Sequence, residues 1–464
     1  MALSYKTIPY NDIEFINRLD SKYYQLRDTI QEYEIKNRKN VLRLGDVIDN
    51  ITDGEHAGQV FVKKGILFLK NSSIKDFDIS TNDGFYITEE KHKMLSRSAL
   101  HPRDVLFTTI GHLGSAAIVP ENFCEANMNQ NFVKMKINEE QISPYYVTCF
   151  LNSKVARREI NSLLTGNIQS ILTYPKIKSI KILRPDDRNI EKEIEEKYKT
   201  ALEYSHIARE KISNVIKELE SKLGLDDNDN KTNIYSINPE QLFNDCDLWT
   251  PKYFYPLYIN TENELINNFE TCNLGQIADM KKGDEPGSDY YIDYLEKNDT
   301  DVPFIRTSDL YNYQIDSSPD NFIDKNSYVE LDQDIKTGDI LYTKDGKIGE
   351  IALITEADKV IISSGVEKIR LNKKGYEKGL TPEYLFAIMC CEKIGKYTAD
   401  RYTVTASTIP HFKEDFIRKM VVPILDSESI NIITEKIKEA FSLLNKKKEL
   451  VLECQNQINS IIKI

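Results

Sequence analysis

An internal duplication constrains this chain more than any other feature, because two copies of one unit must fold alike. The segment Asp104-Val-Leu-Phe-Thr-Thr-Ile-Gly-His-Leu-Gly114 aligns with Asp339-Ile-Leu-Tyr-Thr-Lys-Asp-Gly-Lys-Ile-Gly349, with Asp, Leu, Thr and both glycines identical. Further pairs follow in the same order, about 235 residues apart: Arg18–Tyr24 with Leu248–Phe254, Leu44-Gly45 with Leu274-Gly275, Phe68–Ile74 with Phe304–Leu310, and Ser143–Tyr146 with Thr381–Tyr384. The 464 residues therefore predict a doubled unit rather than three average domains.

Each copy consists of an arm, a block of short strands and a long charged helix. Apolar runs such as Ile66–Leu69 and Val105–Phe107, set between turn signals, predict strands. The predicted helices carry apolar seams with the four-three spacing of a coiled coil: Ile190, Ile194, Tyr198, Ala201, Ser205, Ala208, Ile212, Val215 and Leu219 in the first copy, and Ile430, Ile433, Ile437, Ala440, Leu444, Lys447, Val451, Cys454, Ile458 and Ile461 in the second. Two matched helices favour seams that pack on each other over solvated helices that each pack on their own block.

The duplication sets the predicted boundaries. We expect an N-terminal arm at 1–40, a first block at 41–185, a helix and acidic linker at 186–230, a second arm at 231–271, a second block at 272–423 and a final helix at 424–464. The fold class that follows is mixed α/β, with two globular blocks separated by two long helices.

The sequence excludes several functional classes. It has no Gly-x-x-x-x-Gly-Lys-Ser/Thr phosphate loop, no His-Glu-x-x-His, no Gly-x-Ser-x-Gly and no Asn/Asp-Pro-Pro-Tyr methyltransferase loop. The seven cysteines lack zinc-ligand spacing and predict reduced thiols of a cytoplasmic protein, and no signal peptide or membrane span is apparent. A net charge of −12 argues against binding nucleic acid by charge alone. A binding protein with no metal or cofactor of its own is the expectation.

The positions shared by both copies supply the candidate binding residues. Both glycine turns leave a strand and bring backbone N–H groups within reach of a ligand. Uncharged polar side chains of the kind that read base edges surround them. The candidates are Lys70, Asn71, Ser72, Thr108, Thr109, Gly111, His112, Gly114, Asn129, Gln130, Asn167, Gln169 and Ser170 in the first copy, and Arg306, Thr307, Ser308, Lys344, Gly346, Lys347, Gly349, Ser363, Ser364, Thr405, Ser407 and Thr408 in the second. Ordinary hairpin turns and capping are the alternative interpretation of the same residues.

The ordered, duplicated set resembles the DNA specificity subunit of type I restriction-modification systems. The resemblance rests on the Leu-Gly pair, the Asp-(Val/Ile)-Leu-(Phe/Tyr)-Thr-x-x-Gly-x-(Leu/Ile)-Gly turn, the Ser/Thr-Pro-x-Tyr helix start, the Thr-rich or Gly-Asn-x-Gln loop, and a long helix ending near Leu225. It covers nearly the whole chain. It implies that the blocks are target-recognition domains that each read half of a bipartite double-stranded DNA site, and that the helices form an antiparallel coiled coil with pseudo-twofold symmetry.

The resemblance also implies partners. Two adenine-N6 methyltransferase subunits would carry S-adenosylmethionine, and motor-nuclease subunits would bring ATP and magnesium for restriction, so the chain itself needs no catalytic residue. Arms with a motif such as Asp20–Tyr24 or Thr250–Phe254 also occur in specificity modules of fused restriction-methylation enzymes, so a related system is an alternative. A coiled-coil scaffold or inhibitor without DNA reading, and an autonomous nuclease or methyltransferase, are the other functional hypotheses.

Overall fold

The computed structural model describes residues 40–75, 77–81, 85–110, 113–164, 171–225, 234–244, 248–406 and 408–461. The predicted N-terminal arm and the acidic linker lie outside these ranges, apart from a few flanking residues. The chain divides into two compact units: residues 1–203 with 447–464 form the first, and residues 204–446 form the second. None of the helices in the described ranges has both the length and the hydropathy needed to cross a bilayer.

The first unit is built around a four-stranded antiparallel sheet. Its strands are β1 (Val41–Arg43), β2 (Ile48–Asp53), β3 (Ile66–Leu69), β4 (Ile74–Lys75), β5 (Asp78–Ile79), β6 (Tyr86–Ile87), β7 (Val105–Thr108), β8 (Ala116–Ile118), β9 (Ala126–Met128), β10 (Phe132–Ile137) and β11 (Lys181–Leu183). Its helices are α1 (Glu89–Met94), α2 (Pro144–Leu151), α3 (Lys154–Leu163), α4 (Tyr174–Ser179) and the first part of α5 (Arg188–Lys222). The main sheet has the order β2-β10-β7-β8, a second sheet has the order β6-β3-β9, and β1–β11 and β4–β5 form pairs.

The second unit repeats this arrangement. Its strands are β12 (Glu270–Asn273), β13 (Ala278–Lys282), β14 (Ile292–Asp293), β15 (Val302–Ile305), β16 (Leu310–Tyr311), β17 (Gln314–Ile315), β18 (Asn321–Ile323), β19 (Ile340–Thr343), β20 (Ile351–Leu353), β21 (Ile361–Ile362), β22 (Val366–Leu371), β23 (Val404–Ala406), β24 (Ile409–His411) and β25 (Val421–Ile424). Its helices are α6 (Pro239–Asn244), α7 (Pro256–Asn268), α8 (Leu274–Ile277), α9 (Lys325–Leu331), α10 (Lys373–Glu377), α11 (Pro382–Cys390), α12 (Tyr397–Tyr402), α13 (Glu414–Ile417) and most of α14 (Ser427–Ile461). The main sheet has the order β13-β22-β19-β20, the second sheet has the order β14-β18-β15-β21, and β12–β25 and β16–β17 form pairs. The mixed α/β class predicted from the sequence is confirmed.

Each main sheet is covered on both faces, as the alternation of side chains along a strand requires. In β7, Val105 and Phe107 pack with Tyr146 of α2, whereas Leu106 packs on the opposite face with Leu69 of β3. Because both faces are apolar, the short strands read as continuous apolar runs, and only the ends of the sheet are left for polar residues.

The Ser/Thr-Pro-x-Tyr motif begins a buried helix in both units. Proline stands in the first turn of α2 and of α11, where it has no backbone N–H to leave unpaired. The tyrosine two residues later is buried, and its hydroxyl donates to the carbonyl of Leu183 in the first unit (2.5 Å) and of Pro423 in the second (2.8 Å). The motif therefore ties a helix to the strand that leads into the long helix of each unit.

In each unit, the segments of α5 and α14 pair with each other and run antiparallel. In the second unit, Lys211 contacts Glu439 (2.9 Å), while Glu218, later in α5, contacts Lys436, earlier in α14 (2.6 Å). In the first unit, Lys197 contacts Glu453 (2.7 Å) and the Cys454 thiol lies 3.7 Å from the carbonyl oxygen of Ile194. All residues of both predicted seams are buried except Ile190 and Ile461, which are half-buried.

Candidate nucleic-acid interface

The glycine turn after β19 lies at one end of the main sheet of the second unit. The Thr343 hydroxyl accepts a hydrogen bond from the Glu350 N–H (2.9 Å), and the Gly349 N–H donates to the Thr343 carbonyl (3.0 Å). Gly346 and Gly349 have φ angles of 69° and 92°, in the left-handed region that other residues rarely adopt. These bonds fix the turn, and Gly346 is exposed at its tip.

The hairpin β23–β24 packs against this turn. The Gly346 N–H donates to the carbonyl of Pro410 (3.0 Å), and the Phe412 N–H donates to the carbonyl of Lys344 (2.8 Å). His411 Nδ1 lies 2.6 Å from an Asp345 carboxylate oxygen. Thr405 and Thr408 of the hairpin are exposed, so the turn and the threonine-rich loop predicted from the sequence form one surface.

Two further segments of the second unit lie beside the turn. The Lys344 N–H donates to the carbonyl of Gly365 (3.0 Å), and the Ser363 N–H donates to the carbonyl of Ile305 (2.9 Å). A Cβ on Gly365 would lie 2.9 Å from the Thr307 methyl group, so only glycine allows this approach. The Arg306 guanidinium lies over the ring of Tyr291, 4.9 Å from the ring centre. The structure thus brings all four predicted segments of the second copy together.

An acidic segment that the sequence analysis did not single out completes this surface. The N–H and hydroxyl of Ser364 both donate to the Glu285 carboxylate (3.2 and 3.1 Å). The Asp284 N–H donates to the Ile362 carbonyl (3.1 Å), and a Cβ on Gly283 would lie 2.1 Å from that oxygen. Gly283 has a counterpart in Gly54, but the residues around the two glycines share no motif, so only the identity of the two glycines was available as a signal.

The Lys344 side chain points into the unit, toward a buried acid. Its ammonium lies 3.5 Å from the carboxylate of Glu367, which has no exposed surface. Neither carboxylate oxygen of Glu367 has a hydrogen-bond partner within the described residues. Burial raises the pKa of Glu367 to about 7, although the neighbouring Lys344 acts in the opposite direction. Glu367 therefore titrates near neutral pH, directly beneath the candidate surface.

The first unit has the corresponding turn. The Thr108 hydroxyl accepts from the Ser115 N–H (2.8 Å), and the Gly114 N–H donates to the Thr108 carbonyl (3.0 Å), as at Thr343 in the second unit. The Thr109 N–H donates to the carbonyl of Asn131 (2.8 Å), which matches the bond between Lys344 and Gly365. The two turns are therefore held by equivalent bonds although their side chains differ.

The loop before β10 joins the same surface of the first unit. The Asn129 N–H donates to the Leu69 carbonyl (3.2 Å), and the Gln130 N–H donates to the carbonyl of Glu55 (3.1 Å). A Cβ on Gly54 would lie 2.1 Å from the Asn129 carbonyl oxygen, the same close approach that Gly283 makes in the second unit. The Lys70 ammonium lies 3.1 Å from the centre of the Phe85 ring. Asn129, Gln130 and Lys70 are half-buried and border one loop cluster.

The predicted residues differ in accessibility. Thr108, Thr109, Gly114 and Ser363 are buried. Half-buried or exposed are Lys70, Ser72, Asn129, Gln130, Arg306, Thr307, Ser308, Lys344, Gly346, Lys347, Gly349, Ser364, Thr405 and Thr408. Outside the described residues lie Gly111, His112, Asn167, Gln169, Ser170 and Ser407, and the side chain of Asn71 is not described. Within the described ranges, no group of three or more His, Cys, Asp or Glu side chains is placed to hold a metal ion.

Residues 266–454 match the family model of the type I restriction modification DNA specificity domain. The S subunit of a type I restriction-modification system from M. genitalium is 12% identical, with a TM-score of 0.35 over 91% of this chain and 94% of that chain. The HsdS subunit from Thermoanaerobacter tengcongensis is 14% identical, with a TM-score of 0.29 over 91% and 96%. The type IIG restriction endonuclease BpuSI is 9% identical, with a TM-score of 0.30 over 79% of this chain and 44% of that chain.

Among curated proteins, none matches the chain significantly. These superpositions score below 0.5 and carry no functional argument. The match to the family model covers residues 266–454. It extends from the end of α7 into α14 and therefore includes the whole candidate surface of the second unit. Residues 266–454 of this chain are therefore similar to the type I restriction modification DNA specificity domain.

Proposed function

We propose that the chain is a non-catalytic DNA specificity subunit of a type I restriction-modification complex, in which each unit reads one half of a bipartite site. The observation that carries the proposal is the pair of equivalent surfaces. In both units the glycine turn is joined to the loop before the last strand of the main sheet by a matched backbone bond, Thr109 with Asn131 and Lys344 with Gly365.

The side chains on these surfaces suit base reading. In the first unit, the amides of Asn129 and Gln130 are of the type that pairs with adenine in the major groove. In the second unit, Arg306 and Lys347 offer donors for guanine or phosphate, and the Glu285 carboxylate is an acceptor for the cytosine amino group. Because the two sets differ in chemistry, the two half-sites are expected to differ in sequence.

The two long helices would set the distance between the half-sites. Their opposed ion pairs, Lys211 with Glu439 and Lys197 with Glu453, support an antiparallel coiled coil, and the repeated sheet order supports an internal duplication with pseudo-twofold symmetry. We assign adenine methylation to modification subunits that dock on these helices, with S-adenosylmethionine bound there. Motor-nuclease subunits would contribute ATP and magnesium when the complex restricts DNA.

The charge distribution supports a need for these partners. Residues 41–185 hold 18 Lys and Arg against 15 Asp and Glu, whereas residues 272–423 hold 20 against 27. Phosphate neutralisation supplies most non-specific affinity for DNA, so the acidic second block would hold a duplex weakly without a basic partner. The isolated chain is therefore expected to bind DNA more weakly than the assembled complex.

A block exchange tests the proposal. Residues 41–185 are replaced by the corresponding block of a second specificity subunit, and the methylated motif of cells that carry the complete complex is determined by sequencing. One half of a split adenine motif should change while the other half and the spacing stay the same. A change in both halves would contradict the two-unit reading, and the absence of any motif that depends on this chain would favour a scaffold without DNA reading.

Point variants give a finer test of the second surface. Thr405→Ala combined with Thr408→Ala removes two exposed hydroxyls of the hairpin, and should reduce methylation at the half-site that survives the block exchange. Lys325→Ala, at the exposed start of α9, is the matched control and should leave the motif unchanged. Equal methylation of all sites by the hairpin variant would exclude the hairpin from the interface.

A further inference from the structure

A polar cleft lies in the first unit, near the end of β10 that is farther from the glycine turn. It has a volume of about 420 Å³ and is lined in part by Asn50, Arg103, Asp104, Lys134, Lys136 and Glu139. The glycine turn follows Thr108, which pairs with Phe132 at the start of β10, whereas Lys136 and Ile137 lie at its other end. The cleft is therefore separate from the candidate DNA surface, and its volume falls within the range of small-molecule sites.

Two lysines give this cleft its charge. Lys134 is buried, donates to the carbonyl of Ala99, and lies 3.5 Å from the Asp104 carboxylate. Lys136 is exposed, and no carboxylate within the described residues forms an ion pair with it. Arg103 is neutralised by Glu121 and Glu139, both at 2.5 Å. Asp104 and Glu139 are the two acids that line the cleft, and Lys136 is its one lysine without an ion pair among the described residues.

In the second unit, the residue equivalent to Lys136 pairs with acids of the same chain. The strand registers match Lys134 with Lys368 and Lys136 with Arg370. Arg370 forms ion pairs with Asp339 (2.6 Å) and with Asp334 (2.7 Å). Hydrogen bonds from Lys336 and Arg370 hold the pKa of Asp334 well below its usual range. The Asp334 carboxylate therefore pairs with Arg370 from within the same unit.

The first unit lacks one of the two acids that pair with Arg370 in the second unit. The Lys368 ammonium contacts the carbonyls of Gln333 and Asp334, and Lys134 contacts the carbonyl of Ala99. Because Asp104 aligns with Asp339, Ala99 stands where the second unit has Asp334. The cross-strand neighbour of Arg370 is Asp279, whereas that of Lys136 is Asn50. Ala99 and Asn50 thus carry no charge where the second unit has Asp334 and Asp279.

The backbone beside the cleft is also unusual. Arg103 has a φ of 68°, in the left-handed region, where the second unit has Gly338 with a φ of 90°. A non-glycine residue in this conformation costs about 1 kcal/mol or more, and such strain concentrates at binding sites. Arg103 thus adopts this conformation at the rim of the cleft, where a glycine would be less strained.

We propose that this cleft binds a phosphate group, which takes the place that the Asp334 carboxylate occupies in the second unit. Lys136 supplies the free charge, the buried Lys134 supplies charge at the floor of the cleft, and the Asn50 amide offers a neutral donor. Phosphate is favoured over a carboxylate because it offers more acceptor oxygens, which the two lysines and the Asn50 amide can contact together. The group belongs either to a small phosphorylated molecule or to the backbone of a nucleic acid.

Titration of the full-length chain tests this site. Inorganic phosphate is followed by calorimetry and phosphorus NMR, and a short DNA duplex is followed by fluorescence anisotropy, both at low ionic strength. Lys136→Ala and Ala99→Asp should each weaken binding of one probe by about tenfold or more, because one removes the free cation and the other restores the internal carboxylate. Loss of phosphate binding identifies a free phosphate site, and loss of duplex binding alone identifies the nucleic-acid backbone.

Lys192→Ala is the matched control, because Lys192 is an exposed lysine of the same unit on α5 and should leave both affinities unchanged. Lys136→Ala alters an exposed side chain and keeps the test valid if Ala99→Asp fails to fold. The proposal is overturned if the wild-type chain binds neither probe, if both variants bind as the wild type does, or if the control loses as much affinity as they do.

Discussion

The buried acid Glu367 makes the stability of the second unit depend on pH. Its carboxylate has no hydrogen-bond partner among the described residues, and its nearest cation, Lys344, lies 3.5 Å away. We predict that Glu367→Gln stabilises the protein above neutral pH. Glutamine has nearly the same shape but carries no charge that burial would penalise, and the half-buried Lys344 can turn toward solvent.

The magnitude follows from the pKa. Burial raises the pKa of Glu367 from 4.5 to about 7, so the folded protein holds this proton more tightly than the unfolded chain. The contribution of Glu367 to the stability of the wild type should therefore be most favourable below about pH 4.5 and should be lost as the pH rises through about 7. The whole pKa difference corresponds to about 3 kcal/mol. The variant should be more stable than the wild type by about this amount at pH 8, and by close to nothing at pH 4.5.

Urea unfolding across this pH range measures the effect. Trp249 is the single tryptophan and lies in the same unit, in edge contact with Phe243, so its fluorescence reports on that unit. The control is Glu296→Gln, which removes an exposed carboxylate and should leave the pH profile unchanged. A constant difference between Glu367→Gln and the wild type at all pH values would refute the reasoning, because a packing effect does not titrate.

Three further predictions concern the surface and its scaffold. Glu367→Gln should also free its lysine for phosphate, so the assembled complex should bind DNA more tightly at pH 8, with a steeper dependence of affinity on salt. Gly283→Ala should lower the stability by about 1 to 3 kcal/mol in thermal unfolding, because its Cβ would lie 2.1 Å from a carbonyl oxygen, whereas Gly58→Ala, with open space around it, should not. Tyr384→Phe should cost about 1 kcal/mol through its lost buried hydrogen bond, and the exposed Tyr376→Phe should cost nothing measurable in urea unfolding.

Several identities shared by the two copies have local physical causes, which is why the sequence predicted them well. Thr108 and Thr343 are both threonine because the hydroxyl closes the turn onto a backbone N–H. Gly45 and Gly275 are both glycine because a Cβ would lie 2.8 Å from the Lys178 side chain in one unit and 2.9 Å from the Arg418 side chain in the other. Each contact is equivalent in the two units, so each repeated residue marked a real constraint.

Other parts of the site depend on long-range packing that leaves no repeated motif. The hairpin that carries Thr405 docks on the glycine turn through the backbone of Gly346 and Pro410, which are 64 residues apart and chemically unremarkable. Glu367 stands where the first copy has Val133, so a buried acid lies at a position whose counterpart is apolar. Neither feature has a period, a spacing or a matched residue by which the sequence alone identifies it.

The bonds that hold the candidate surface together also explain how the side chains on the surfaces of the two copies can differ after duplication. Thr109 and Lys344 occupy the same place in the two turns, yet both are anchored by a backbone N–H to the carbonyl of Asn131 or Gly365. A backbone bond does not depend on the side chain of either residue, so substitutions there change the groups presented to a ligand without removing the anchor. Side chains that do carry the scaffold, such as the Thr343 hydroxyl, are buried and identical in the two copies. On the proposed function, differences in half-site sequence should therefore map to the exposed residues of the turn and hairpin, and exchange of those residues alone should transfer part of the preference.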